Sequence, residues 1–451
     1  MSTLTYRPTR VLPQAAADSP TPMWVLLALV LGAVSFNLFL CFANTNLVAI
    51  GNLHVMACEV LIISIVFLVS YRSLDQIHLI LLAGTILLAL AFASIRVALG
   101  MEDSIDVKFA RDLIIPIAFF LLGLRARDAK SADVVVRAAA GMVFGLALFE
   151  YFFVETYTQF FNVAKYYIAR GTMESKQALQ SADLFISGIR PAGADGGRNL
   201  LPFLGDHRAS SLFLEPVSLG NFGILVFMWG LIRSRFGPKL YLGIMATGMA
   251  LIVLADSRFG AYFCVIAIVF AMLPQIYSTI GAGILPLAAL ALLTFIPFIL
   301  TGSYDPQHRY IDNGFLGRLV LSGQILSEFD VWNWLGLKPP RMQAFDSGYA
   351  YIISGIGVIG LAIFWYVFLS IPGPDRQFYT FRNLAAMYYG VMLCVSNSSF
   401  TIKTASLLWF LIGVLSHSRS EQPVAPRLAV SRAARAGGRH VVPVKQRPRQ
   451  I

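Results

Sequence analysis

Eight ionisable residues stand within or at the ends of strongly apolar stretches: His54, Glu59, Arg96, Glu150, Glu215, Arg258, Asp346 and Lys403. Arg208 and Arg318 stand just beside such stretches. A charge at the centre of a bilayer costs roughly 2.5–3.5 kcal/mol on an insertion scale unless it is paired or hydrated, so this many charges imply a polar cavity. Arginines gathered at one level suit a diphosphate, because the guanidinium fork binds phosphate oxygens in pairs and stays charged at any working pH. Arg208, Arg258 and Arg318 are the candidates for that role. A base is also needed wherever a hydroxyl attacks, and the residues placed to take its proton are Asp346, Glu215 and His308. His54 and Glu59 read instead as a structural pair or as helix-packing residues of the second apolar segment. No Asp-x-Asp or other metal-ligand pattern stands out in the polar connections, and no phosphate-binding glycine loop is present, so neither a metal nor another cofactor is expected.

The elements that carry these residues follow from composition. With 57% hydrophobic and only 13% charged residues in 451, the chain is too apolar for a soluble domain and long enough for many spans. Hydropathy marks an all-α transmembrane bundle of about twelve helices between residues 24 and 416, the weakest segments starting near 112, 240 and 383, and one running from about 210 to 232. A cytoplasmic segment, 1–23, precedes it. A basic tail, 417–451, rich in arginine and proline, follows and reads as disordered and cytoplasmic. Arg72, Arg125, Arg127, Arg233, Arg235, Arg376 and Arg382 then fall on one side, as positive-inside bias requires. That bias accounts for the net charge of +11 without a nucleic-acid partner. The opposite side receives Glu102 and Asp103 and two long connections, about 155–209 and about 301–345; the aromatic and basic start of the first suits the lipid surface or stacking on sugars, and the mixed charges and aromatics of the second suit a charged, hydroxyl-rich ligand. Cys41, Cys58, Cys264 and Cys394 all lie in apolar runs and read as small core residues.

Three stretches resemble the Wzy-type polysaccharide polymerases and the related WaaL-type O-antigen ligases. They are Arg208 with Phe213-Leu214-Glu215-Pro216 and Gly220-Asn221; Asp256-Ser257-Arg258-Phe259-Gly260; and Gly317-Arg318-Leu319 running on to Asp346-Ser347-Gly348-Tyr349, with Gly355, Gly357 and Gly360 beyond. The resemblance covers roughly 205 to 365, and the Phe-Leu-Glu-Pro and Asp-Ser-Gly-Tyr forms are most similar to exopolysaccharide polymerases of the xanthan type. It implies a metal-independent glycosyltransferase in the bacterial inner membrane, joining undecaprenyl-diphosphate-linked repeat units at the periplasmic face. Arginines would stabilise the leaving diphosphate, and a chain-length regulator and export proteins would be partners beside the bilayer. Two other readings stand next to it. A ligase transferring the glycan to lipid A core is disfavoured because Asp346-Ser347 stands where such ligases carry His-Asn. A flippase or exporter of the same lipid-linked unit is disfavoured because the large polar loops lie on one face and the two halves show no repeat.

Overall fold

The computed structural model describes residues 20–103, 105–175, 182–190, 200–236, 241–304, 315–340 and 347–417. The calls made for the N-terminal segment and for the basic tail lie outside these residues, apart from residues 20–23 and 417. Within the described residues the protein is all-helical, with a single isolated β-bridge between Ile189 and His207.

The helices are α1 (Met23–Asn46), α2 (Asn52–Ser70), α3 (Gln76–Ala98), α4 (Val107–Leu124), α5 (Ala129–Phe152), α6 (Val154–Phe160), α7 (Val163–Ala169) and α8 (Pro216–Phe236). There follow α9 (Leu242–Leu254), α10 (Arg258–Met272), α11 (Gln275–Thr301), α12 (Phe315–Ser327), α13 (Val331–Trp334), α14 (Gly348–Ser370), α15 (Arg376–Met392) and α16 (Ile402–His417). Among the described residues seven of them (α1, α2, α3, α5, α8, α11 and α14) are long and apolar enough to cross a membrane, and α9, α10, α12 and α16 are shorter apolar helices. The chain is a multi-pass membrane protein.

Helix starts are written in the sequence as short polar side chains three residues ahead of a backbone donor. Asp75, Asp106, Asp128, Ser257, Ser347 and Asp375 each accept from the amide three positions on, at 2.9–3.3 Å. Each such cap contributes about 1 kcal/mol and fixes where the chain turns into the bundle. Once formed, the helices approach closely where side chains vanish. A Cβ on Gly123 would lie 2.2 Å from the Phe410 carbonyl, and one on Gly413 would lie 2.2 Å from that of Phe120, so α4 and α16 cross almost backbone to backbone. Gly223 and Gly248 do the same for α8 and α9. Small residues at crossings are the expected device where no hydrophobic effect drives helices together.

The bundle has two distinct ends. At one, Thr21 donates to the Arg125 carbonyl (3.1 Å), His417 meets the Ala126 carbonyl (2.8 Å) and Arg233 pairs with Asp133 (2.7 Å). Arg235 binds the Ala271 carbonyl and Arg382 that of Ile371 there as well. The opposite end holds α6 and α7, joined to the tips of α1 and α2 through Asn46–Phe160 (3.0 Å) and Asn52–Arg170 (2.8 Å). Cys41, Cys264 and Cys394 are buried, Cys58 is half-buried and all four are free thiols.

One span is interrupted. At Gly357 the backbone of α14 leaves the helical region (φ 72°, ψ 169°), and the Leu335 carbonyl sits against the gap. The carbonyls of Ser354, Gly355 and Gly336 are taken up by the Arg96 guanidinium at 3.1–3.3 Å, while its Nε meets Glu102 at 3.0 Å. Arg96 is thus the cap of a broken helix, and its charge is spent.

Candidate functional site

The segment expected to run as a helix from about 210 does not. Ala209–Glu215 is unwound, with a single 3-10 turn at Ser211–Phe213 and left-handed backbone at Ser211 (φ 53°) and Leu214 (φ 62°). The helix begins at Pro216. Proline there occupies the first helical position, where its missing N–H is no loss, so it starts the helix. Irregular backbone at this depth has to be satisfied by protein. Glu150 of α5, fully buried, accepts the amides of Ser210 and Ser211 and contacts His207 Nε2 at 3.3 Å. Tyr157 donates to the Ser211 carbonyl (3.1 Å), and Lys403 of α16 donates to that of Phe213 (3.0 Å).

The unwound segment delivers Glu215 to a polar chamber. Its carboxylate accepts from Tyr167 of α7 and from Ser218 (3.2 Å), with the Lys403 ammonium 3.7 Å away. The Glu215 side chain remains 30% exposed, although the helices around it are packed. Nearby, Arg111 of α4 forms an ion pair with Glu59 of α2 and grips Asp112 through Nη2 (2.6 Å) and Nε (3.0 Å). Tyr351 of α14 donates to the other Asp112 oxygen (2.8 Å), and Lys108 approaches it at 3.4 Å. Arg170, at the end of α7, acts electrostatically on Glu59, Glu215 and Lys403, and Lys403 acts on Glu59, so the two groups are one network. Four cations (Lys108, Arg111, Arg170 and Lys403) and three carboxylates (Glu59, Asp112 and Glu215) thus form one charged network, the chamber of the site.

The candidate arginines read from the sequence are distributed differently. Arg208 is 4% exposed and gives Nε to the Ala255 carbonyl (3.0 Å) and Nη1 to that of Ser187 (2.9 Å), which pins the first long connection to the turn between α9 and α10. Asp256 in that turn is buried in left-handed backbone (φ 47°) and takes Arg190 at 2.6 Å and the Leu200 amide at 2.7 Å. Arg258, next along, forms no hydrogen bond or ion pair with the described residues and lines a groove. Arg318 is half-buried on α12, whose first residue Phe315 stacks on Phe259 at 6.0 Å. Asp346 and His308 lie outside the described residues. His54 and Glu59 turn out to do separate things. His54 Nδ1 accepts the Gly51 amide at the start of α2 (3.2 Å), while Glu59 belongs to the chamber.

Sequence does not single out Arg111 and Asp112, because hydropathy opens the fourth segment near 112, which leaves Arg111 in the connection and Asp112 at the segment's edge. The capping signal of Asp106, three residues ahead of Phe109, places the start of α4 early enough to carry both into the bundle.

An all-helical, multi-pass membrane protein with a charged chamber reached by an unwound segment is the class defined by fold and site. Comparison of the chain with protein-family models, with curated proteins and with solved structures finds no match.

Proposed function

We propose that the protein is a metal-independent glycosyltransferase that polymerises undecaprenyl-diphosphate-linked oligosaccharide repeat units at the periplasmic face of a bacterial inner membrane. The observation that carries this reading is the half-open Glu215 carboxylate held beside Lys403, in the same chamber as Arg111 and Arg170, at the end of the bundle away from the basic connections. A lipid diphosphate needs cations at membrane depth, and an attacking sugar hydroxyl needs a fixed base. The chamber offers both.

In the reaction the acceptor hydroxyl loses its proton to Glu215 as its oxygen bonds to the anomeric carbon of the donor. The bond from that carbon to the diphosphate breaks, and the negative charge left on the diphosphate is stabilised by the chamber cations. Preorganised donors at this depth act without reorganising, which is where most of such stabilisation arises. Among Glu215, Asp346 and His308, Glu215 is the base this reading adopts, because Tyr167 and Ser218 orient it and Lys403 keeps a counter-charge at 3.7 Å.

The deciding experiment supplies the purified protein in lipid with one defined lipid-linked repeat unit and no nucleotide sugar. A ladder of products is expected, and it should persist in a chelator. A single-unit product that never lengthens, under conditions where the substrate binds, would overturn the proposal.

A further inference from the structure

A cavity of about 150 Å³ lies beside the break in α14, walled by the connection from α3 to α4, by Pro339 and Pro340 and by Ser354 and Gly355. Its apolar surface comes from Phe109, Tyr351 and the two prolines, and its charged groups are Arg96, Glu102 and Asp106. A Cβ on Gly355 would lie 2.0 Å from the Phe109 ring, so the missing side chain gives that ring its place in the wall. Tyr351 borders both cavity and chamber: it lines the one, and its hydroxyl donates to Asp112 of the other (2.8 Å).

The three charged groups each keep one polar atom without a bond to the described residues. Arg96, 2% exposed, uses Nε for Glu102 and Nη1 for the carbonyls of Gly336, Ser354 and Gly355, which leaves Nη2. Glu102 meets Arg96 through Oε2 and keeps Oε1, and Asp106 caps α4 through Oδ1 and keeps Oδ2. The cavity therefore offers one donor and two charged acceptors around an apolar floor. The ligand follows from what that combination turns away. A cation would use Glu102 and the carbonyls at the break, and the Arg96 guanidinium already holds them. Two carboxylates in the wall repel an anion. A hydrocarbon chain would strand three charged groups. A sugar ring satisfies all of them, since its C–H face packs on aromatic and proline surfaces while its hydroxyls donate to carboxylates and accept from a guanidinium.

We infer that this cavity seats one uncharged pyranose ring of the lipid-linked repeat unit, beside the reacting sugar and separated from the chamber by Tyr351, and that Glu102 and Asp106 exclude an acidic sugar from the seat. The link to a repeat unit rests on the polymerase reading; the sugar seat rests on the cavity.

The test uses the full chain in phosphatidylcholine nanodiscs, free of sugar detergents, and saturation-transfer NMR. The probes are the methyl glycosides of glucose, galactose and mannose, with methyl glucuronoside as the acidic one. Asp106→Asn keeps the α4 cap, because asparagine accepts the Phe109 amide as well as aspartate does. Glu102→Gln leaves an amide oxygen for Arg96 and uncovers its charge. The wild type should bind at least one neutral glycoside and not the glucuronoside. Each variant should bind that glycoside about tenfold more weakly, the scale of one lost hydrogen bond to a charged group, and Glu102→Gln should admit the glucuronoside. A wild type that binds no neutral glycoside, one that binds the glucuronoside equally well, or variants that bind as the wild type does each overturn the inference. Wild-type ladders from both variants overturn it too and leave the polymerase standing. The expected binding pattern in a protein that never forms a ladder keeps the sugar seat and withdraws the polymerase.

Discussion

At the scale of single residues, two of the chamber's three carboxylates, Asp112 and Glu215, differ in what surrounds them. Asp112 is 2% exposed and saturated by Arg111, Lys108 and Tyr351, whereas the side chain of Glu215 is nearly a third open. Glu215→Gln should therefore keep the fold and substrate binding and lower turnover by more than about a hundredfold, the usual worth of a positioned base. Comparing binding and single-turnover rates on the same preparation checks it, and normal turnover would move the assignment to Asp346. Arg111→Ala is expected to act on stability instead. It strands Asp112 and Glu59 without their guanidinium, a loss of about 3–5 kcal/mol for a buried pair, seen as a lower melting temperature in detergent. Much of this was legible in the chain and some was not. That Glu59, Glu215 and Lys403 could not stand alone in apolar segments follows from the cost of burying charge. Which cation meets which acid does not, because pairing is decided by helix crossings that sequence spacing leaves open. Arg208 shows the limit: its type suits phosphate, yet two of its donors are held by carbonyls that only the folded turn at Ala255 brings within reach.

Among the elements, the apolar segments were readable from hydropathy, and the caps from Asp or Ser three residues ahead of the first free amide. The unwound stretch before α8 was not. Its local residues would tolerate a helix, and the alternative is stabilised by Glu150, some sixty positions earlier in the chain (|i−j| 60 to Ser210). Glu150→Gln should accordingly weaken the hold on the Ser210 and Ser211 amides and disable activity without touching the chamber, while Glu150→Ala should also unfold part of the protein, leaving two buried amides bare at about 1–3 kcal/mol each. Hydrogen exchange at Ala209–Leu214 would report both. The glycine crossings make a sharper pair. Gly413→Val puts side-chain atoms into the Phe120 carbonyl and should sharply reduce folded yield, whereas Gly84→Ala on α3 meets nothing within 4 Å and should shift stability by under about 0.5 kcal/mol. Equal yields would mean that α4 and α16 are not held at this distance.

For the whole molecule, the gathering of Arg125, Arg233, Arg235 and Arg382 at one end of the bundle makes a statement about sidedness. A cysteine at Asp103 should react with a membrane-impermeant maleimide from outside the cell, and one at Arg376 only after the membrane is permeabilised. The native thiols leave little background, three of the four being buried. Labelling of both from one side would overturn the two-sided arrangement. A last consequence belongs to the interrupted helix. Of α3's 23 residues only Ala89, Ala93 and Arg96 are buried, so it is the element most in contact with lipid among the long helices, and the last of those residues grips the joint of α14 beside Tyr351. A helix so placed tilts when hydrocarbon thickness changes, at a cost of fractions of a kcal/mol per ångström of mismatch. Arg96 ties that tilt to the carbonyls at the break and stands in the same pocket wall as Tyr351. On the proposed function, product length in reconstituted bilayers is therefore expected to change with acyl-chain length, and to lose that dependence in Arg96→Gln.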